Sequence, residues 1–319
     1  MKSIILVLLT IILSSGSRGQ AQITSPFHED TVYIVRDGGQ IYGSLITLQH
    51  EKKLPVALII SGSGPTDRNG NNPMMTNNSL KMLADSLAAA GIGSIRYDKR
   101  GVAASMAAGI VEIELRFEDY VKDAISWAQF LRKDSRFSKV IIIGHSEGSL
   151  IGMIAASQIQ VDGFISLAGP GESTDLVIKR QLKSQPQFVQ DQLFPKIDSL
   201  KNGFTIDSVD PAYFALLRPS VQPYLISWFK YDPQVEIKKL HIPILIIQGE
   251  TDIQVRTEDA ELLKMAAPKA ELTIIKGMNH IFKPSSLDRQ ENIATYRDPV
   301  LPIMQELVKS ITKFIIEEE

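Results

Sequence analysis

The 319-residue chain contains no cysteine. That absence excludes disulfides, thiolate metal ligands and a cysteine nucleophile. An excess of one charge is also missing, since 34 basic residues face 36 acidic ones for a net charge of −2. Without a basic surplus there is no electrostatic footprint for nucleic acid or for an anionic membrane surface. The one run of like charge is the terminal Glu317-Glu318-Glu319, read as a solvated tail. The apolar stretch at residues 4–13, interrupted only by Thr10, is too short for an ordinary membrane span. Lys2 precedes it, small polar residues follow it at Ser14-Ser15-Gly16-Ser17, and Gly19-Gln20-Ala21 comes next. This is the layout of a secretory signal peptide, residues 1–21, cleaved after Ala21. The expected mature protein starts at Gln22, is exported to the periplasm or secreted, and has no stable membrane anchor. An uncleaved N-terminal anchor is the alternative.

A chain that is 44% hydrophobic and 22% charged supports a sizeable core, as one large domain or a domain with an insertion. Residues 31–36 and 40–48 read as two strands around the turn Asp37-Gly38-Gly39. Apolar strands are expected at 56–60, 93–97, 140–143, 163–167, 243–248 and 272–275, and helices at 79–90, 117–131, 150–156, 258–265 and 300–316. Asn78 or Ser79 is the expected cap of the first helix. Strands alternating with helices argue an α/β fold with a mostly parallel sheet. The alternation breaks at residues 172–240, where only helices are expected: 175–183, 188–201, 211–217 and 223–230, separated by breakers such as Pro186, Gly203, Pro219 and Pro233. A segment this long between core strands is too long for a plain loop. It reads as a helical cap inserted into a core formed by residues 22–171 and 241–319.

The most informative stretch is Gly144-His145-Ser146-Glu147-Gly148, set between an apolar strand and an apolar helix. Strand, tight turn, helix is the context of a nucleophile elbow, in which glycines make room and the serine hydroxyl stands clear of the sheet. A serine hydroxyl needs a base, and the base needs a carboxylate to orient it. Of the five histidines, only His280 falls in a loop just past the carboxyl end of an expected strand, where α/β sheets place ligands. Asp252 falls in a similar loop, and the order Ser146, Asp252, His280 is that of the α/β-hydrolase triad. Glu250 is the competing carboxylate. The oxyanion needs two backbone donors. The Glu147 N–H is the first candidate, and the loop after residues 56–60 supplies the second, where Pro65 has no N–H and Ser63 is preferred over Gly64.

Those motifs, with Ser61-Gly62-Ser63-Gly64-Pro65-Thr66-Asp67-Arg68, Arg96-Tyr97-Asp98-Lys99-Arg100-Gly101, Gly249-Glu250-Thr251-Asp252 and Asn279-His280, resemble the α/β-hydrolase superfamily across nearly all of the mature length. Within it the chain resembles the bacterial carboxylesterase and serine-aminopeptidase-like (S33-type) group, and residues 218–233 resemble the cap of its carboxylesterases. One departure is Ser61, where many relatives carry a histidine. The resemblance implies a serine esterase for a small-molecule ester, with short acyl groups, through Ser146, His280 and Asp252 and without a cofactor. An aminopeptidase with the same triad is the alternative, with Asp175, Asp191, Asp198 or Asp210 of the cap as candidates to hold an amine; a silent binding protein on this fold is the other. Asp67-Arg68 and Asp98-Arg100 are read as loop braces. Asp67-Arg68-Asn69-Gly70-Asn71 is similar to a calcium loop, but its glycine is at the wrong offset and no acidic residue closes it, so no metal is expected. The cap aromatics Phe214, Tyr224, Trp228, Phe229 and Tyr231 are read chiefly as the cap's own core.

Overall fold

Short β-branched runs and the amphipathic stretches between them assemble into one eight-stranded sheet. The computed structural model describes residues 27–48 and 52–317, so the expected signal peptide lies outside the described residues. The strands are β1 Phe27–Arg36, β2 Gly39–Leu48, β3 Leu54–Ile60, β4 Gly93–Tyr97, β5 Phe137–His145, β6 Gly163–Leu167, β7 Ile244–Gly249 and β8 Glu271–Ile275. Their order is β1-β2-β4-β3-β5-β6-β7-β8. β1 and β2 form an antiparallel hairpin, β2 is antiparallel to β4, and every pair from β4 onward is parallel. The hairpin turn relies on Gly38 and Gly39, both at positive φ (97° and 151°), which only glycine adopts without strain. The middle strands β4, β6 and β7 are buried along their whole length, as parallel strands covered on both faces must be.

The helices are α1 Ser79–Ala89, α2 Phe117–Arg132, α3 Glu147–Gln158, α4 Thr174–Leu182, α5 Gln187–Lys201, α6 Phe214–Leu217, α7 Gln222–Trp228, α8 Pro233–Ile237, α9 Thr257–Ala266, α10 Arg289–Ala294 and α11 Gln305–Glu317. Side chains alternate across β5: Val140 and Ile142 join the core under α2 and α3, while Ile141 and Ile143 join the core under α1 and α11. Helices α4–α8 lie between β6 and β7, with no strand among them. Their apolar residues Leu193, Ile197, Leu217 and Phe229 belong to the same cluster as α2 and α3, so the cap has no core of its own. Phe117 of α2 stacks on Trp228 (5.7 Å, 4°) and meets Tyr224 and Tyr231, so these cap aromatics are packing residues. Among the described residues no helix is long and apolar enough to cross a membrane.

Several local expectations change. Pro233 opens α8 at its first turn, where the missing N–H costs nothing, with Asp232 accepting from the Gln234 amide at 2.9 Å; reading it only as a breaker missed that helix. Asn78 sits at the cap position of α1, but in the left-handed region (φ 55°), and Asn77 Oδ1 takes the Ser79 amide instead, at 2.9 Å. The closing helix begins at Gln305 rather than near 300, because Asp298 Oδ1 accepts from the amides of Val300 and Leu301 and holds them in a turn. The six-residue α10 carries too short a pattern to show periodicity.

Candidate active site

Ser146 stands between β5 and α3 at φ 55°, ψ −121°, a backbone conformation that L-residues rarely adopt. The chain accepts it because the turn is pinned on both sides. The Ser146 amide donates to the Leu167 carbonyl of β6 at 2.9 Å, and the Ser149 amide closes the first turn of α3 on the Ser146 carbonyl. Glycine is required two residues either way. A Cβ on Gly144 would fall 2.2 Å from the Gly148 carbonyl oxygen, and one on Gly148 would fall 2.4 Å from that of Ile60. The elbow thus sits directly against the end of β3.

Asp252 follows β7 and His280 follows β8, and the parallel pairing of the two strands brings their loops together. His280 Nδ1 lies 2.7 Å from Asp252 Oδ2, with both side chains buried. The carboxylate also accepts from Gln248 Nε2 (3.0 Å), the Gln254 amide (2.8 Å) and the Val255 amide (3.0 Å). Burial alone would raise its pKa, but the facing His280 and these donors outweigh it, and the group is held below the usual carboxylate range. An acceptor-only carboxylate at Nδ1 selects the Nδ1–H tautomer, leaving the Nε2 lone pair of His280 free. Glu250 turns away and accepts from the Gly277 amide. His280 and Ser146 line one small pocket of about 130 Å³, with Gly62, Ser63, His145 and Tyr296.

His145, inside the elbow, does not point at the pocket's reacting centre but donates Nε2–H to the His280 carbonyl oxygen at 2.9 Å. Burial, then the nearby His280, push its pKa down to about 3, so it is neutral. Asn279 folds the histidine loop from the other side, its Oδ1 accepting from the amides of Ile281 and Lys283.

Behind the pocket lies a buried pair that the sequence did not announce. Lys99, just past β4, donates to the Gly62 carbonyl (2.6 Å) and pairs with Glu147 Oε2 (3.2 Å), over the ring of Tyr120. The Tyr224 hydroxyl of α7 donates to the other Glu147 oxygen. The Gly62–Ser63 peptide is trans, so fixing the Gly62 carbonyl directs the Ser63 N–H to the opposite side. Lys99 therefore holds both segments read as oxyanion donors, at Ser63 and at Glu147. Gly62 and Ser63 line the pocket, and Gly62 packs against Ser146. The loop charges act as braces: Arg68 pairs with Asp98 at 2.6 Å and donates its amide to the same carboxylate. Arg100 pairs with Asp123 of α2 instead. Asp67 Oδ1 accepts from the amides of Asn69 and Asn71, an ordinary Asx turn. None of the cap acids lines the Ser146 pocket. Asp175 pairs with Lys201, Asp198 with Lys179, Asp191 accepts from Gln187, and Asp210 caps Ala212.

The sequence model of the serine aminopeptidase S33 family matches residues 75–215, which include Ser146 but stop short of Asp252 and His280. Esterase EstD of Thermotoga maritima is 26% identical over 230 residues, 71% of this chain and 54% of that protein. The chain thus spans about half the length of that curated relative. Among solved structures, Est1E from Butyrivibrio proteoclasticus superposes with a TM-score of 0.59 at 17% identity, over 90% of this chain and 99% of that one. The alpha/beta hydrolase GrgF from Penicillium gives a TM-score of 0.60 at 16% identity, over 91% and 98%. The eight-stranded, mostly parallel sheet with its flanking helices is thus the α/β-hydrolase fold that these solved structures share.

Proposed function

We propose that this chain is a serine hydrolase that cleaves carboxylic esters with small acyl groups. The observation that carries the reading is the 2.7 Å contact of His280 Nδ1 with a buried Asp252, on a pocket that His280 shares with the elbow serine. In this reading Ser146 Oγ attacks the ester carbonyl while His280 Nε2 takes its proton. Asp252 stabilises the imidazolium without taking the proton itself. The oxyanion is held by the amides of Glu147 and Ser63. The alcohol leaves with the proton from His280, and water, activated by the same nitrogen, releases the acyl group.

A pocket of about 130 Å³ supports a small acyl group, being well below the ~300–1,000 Å³ of sites for drug-sized ligands. Ester is favoured over peptide because a protonated amine needs an anionic anchor. Among the described residues no acidic side chain lines the Ser146 pocket. Hydrolysis of p-nitrophenyl esters from acetate to palmitate, beside aminoacyl-p-nitroanilides, tests the reading with Ser146→Ala as blank. Turnover of esters that falls with chain length, and drops about 10⁶-fold in the variant, is expected. Anilide turnover that exceeds ester turnover would overturn it. The export signal at residues 1–21 is part of the same reading: expression of the full chain in a Gram-negative host should give a periplasmic protein whose first residue is Gln22.

A further inference from the structure

Beside the Ser146 pocket lies a larger cavity of about 700 Å³. Met75, Gln254 and Tyr296 line both, so the two share one wall. Its other walls come from the end of α4, the loop around Asp252 and the start of α10. Four cationic side chains line it, Arg180, Lys183, Arg256 and Arg289, and no acidic one does. In a chain with slightly more acids than bases that bias is not a property of the surface at large. Arg180 is already neutralised by Glu172 and by the buried Asp259. Among the described residues no carboxylate pairs with Lys183, Arg256 or Arg289, which line the cavity as exposed residues. The buried Asp259 is consumed by Arg180 and by the amides of Gly171 and Arg256, and the buried Asp252 by His280. At the shared wall the Tyr296 hydroxyl accepts from Gln254 Nε2 at 2.9 Å and keeps its own proton to donate.

We propose that this cavity holds the anionic end of an acidic ester, a substrate that carries a carboxylate or phosphate on one side of its scissile bond. A concave site with unpaired guanidinium and ammonium groups concentrates anions, and guanidinium forks match carboxylate and phosphate oxygens in pairs. Lys183, Arg256 and Arg289 bind that carboxylate or phosphate while the ester carbonyl rests over Ser146. This inference rests on the esterase reading and narrows its substrate class.

Matched ester pairs separate the two claims. On the acyl side p-nitrophenyl hemiglutarate is compared with p-nitrophenyl valerate. On the alcohol side 4-acetoxybenzoate and 4-acetoxyphenyl phosphate are compared with 4-acetoxytoluene. At least one acidic ester should exceed its neutral partner in kcat/KM by about 10–100-fold, with the gain in KM and with loss of the gain at high salt. The triple variant Lys183→Gln, Arg256→Gln, Arg289→Gln should lose that preference and keep its turnover of neutral esters. Which pair responds tells carboxylate from phosphate and the acyl from the alcohol side. Neutral esters turned over as well as every acidic partner, or a preference that survives in the triple variant, overturn the inference and leave the esterase reading standing. Should no ester be hydrolysed, the esterase reading falls, and calorimetric binding of glutarate and inorganic phosphate to the intact protein decides the cavity alone: binding lost in the triple variant supports it, and no binding overturns it.

Discussion

His145 and Asp252 tie folding to the chemistry of two single side chains. An unfolded histidine titrates near 6.5, whereas the buried His145 is pushed down to about 3. Between those values the unfolded chain binds a proton that the folded chain refuses. The stability that neutral His145 contributes is therefore complete above pH 6.5 and is lost as the pH falls toward 3, at no more than about 1.4 kcal/mol per pH unit. The lowered pKa of Asp252 acts in the same sense at lower pH, its contribution being lost as pH falls below the unfolded aspartate value. Urea midpoints measured from pH 7.5 to 4.5 should decline below pH 6.5, and His145→Asn should flatten that decline. An unchanged slope in the variant would show that His145 is not the responsible group. For catalysis, Asp252→Asn keeps the shape but no longer selects the Nδ1–H tautomer of His280, and kcat should fall about 10⁴-fold. A fall of less than tenfold would assign the orienting role elsewhere.

Elements meet at the Lys99–Glu147 pair, where the end of β4, the start of α3, the loop after β3 and the cap helix α7 converge. Removing one partner of a buried pair strands the other charge, so Lys99→Met should cost about 3–5 kcal/mol of stability. It also frees the Gly62 carbonyl, and a misplaced Ser63 amide should lower kcat about 10²–10³-fold with little change in KM. Tyr224→Phe, which leaves Lys99 in place, should do less on both counts. A Lys99→Met protein that folds and keeps its kcat would remove Lys99 from any part in positioning. The sequence made Ser146, Asp252 and His280 legible because each stands in a local pattern, a loop at the end of an apolar strand, and the loop order carries information. Lys99, Tyr224 and Gln248 were not legible, because their partners are brought together only by packing. Lys99 and Glu147 are 48 positions apart and Tyr224 and Glu147 are 77 apart. The same holds for α8, whose opening proline reads as a stop until the chain direction on either side is known, and for the short α10.

At the scale of the whole molecule the cap and the sheet share one core. Leu193, Ile197 and Phe229 of the cap lie in the same cluster as Val140 and Ile151. Opening the cap would expose that cluster, so the two parts should unfold together. The chain's two tryptophans report on them separately, Trp127 buried in α2 and Trp228 at the end of α7. Single-tryptophan variants, Trp127→Phe and Trp228→Phe, should give coincident normalised fluorescence transitions with other probes of the same protein in urea. An earlier transition at Trp228 would show a cap that unfolds by itself. In the proposed reaction Ser146 is the nucleophile and His280 takes its proton. The most direct test of that step is reaction with a fluorophosphonate followed by intact-protein and peptide mass spectrometry. One adduct is expected, on Ser146, absent in Ser146→Ala and formed far more slowly in His280→Ala. An adduct on another residue, or a protein that hydrolyses esters while Ser146 stays unlabelled, would contradict it.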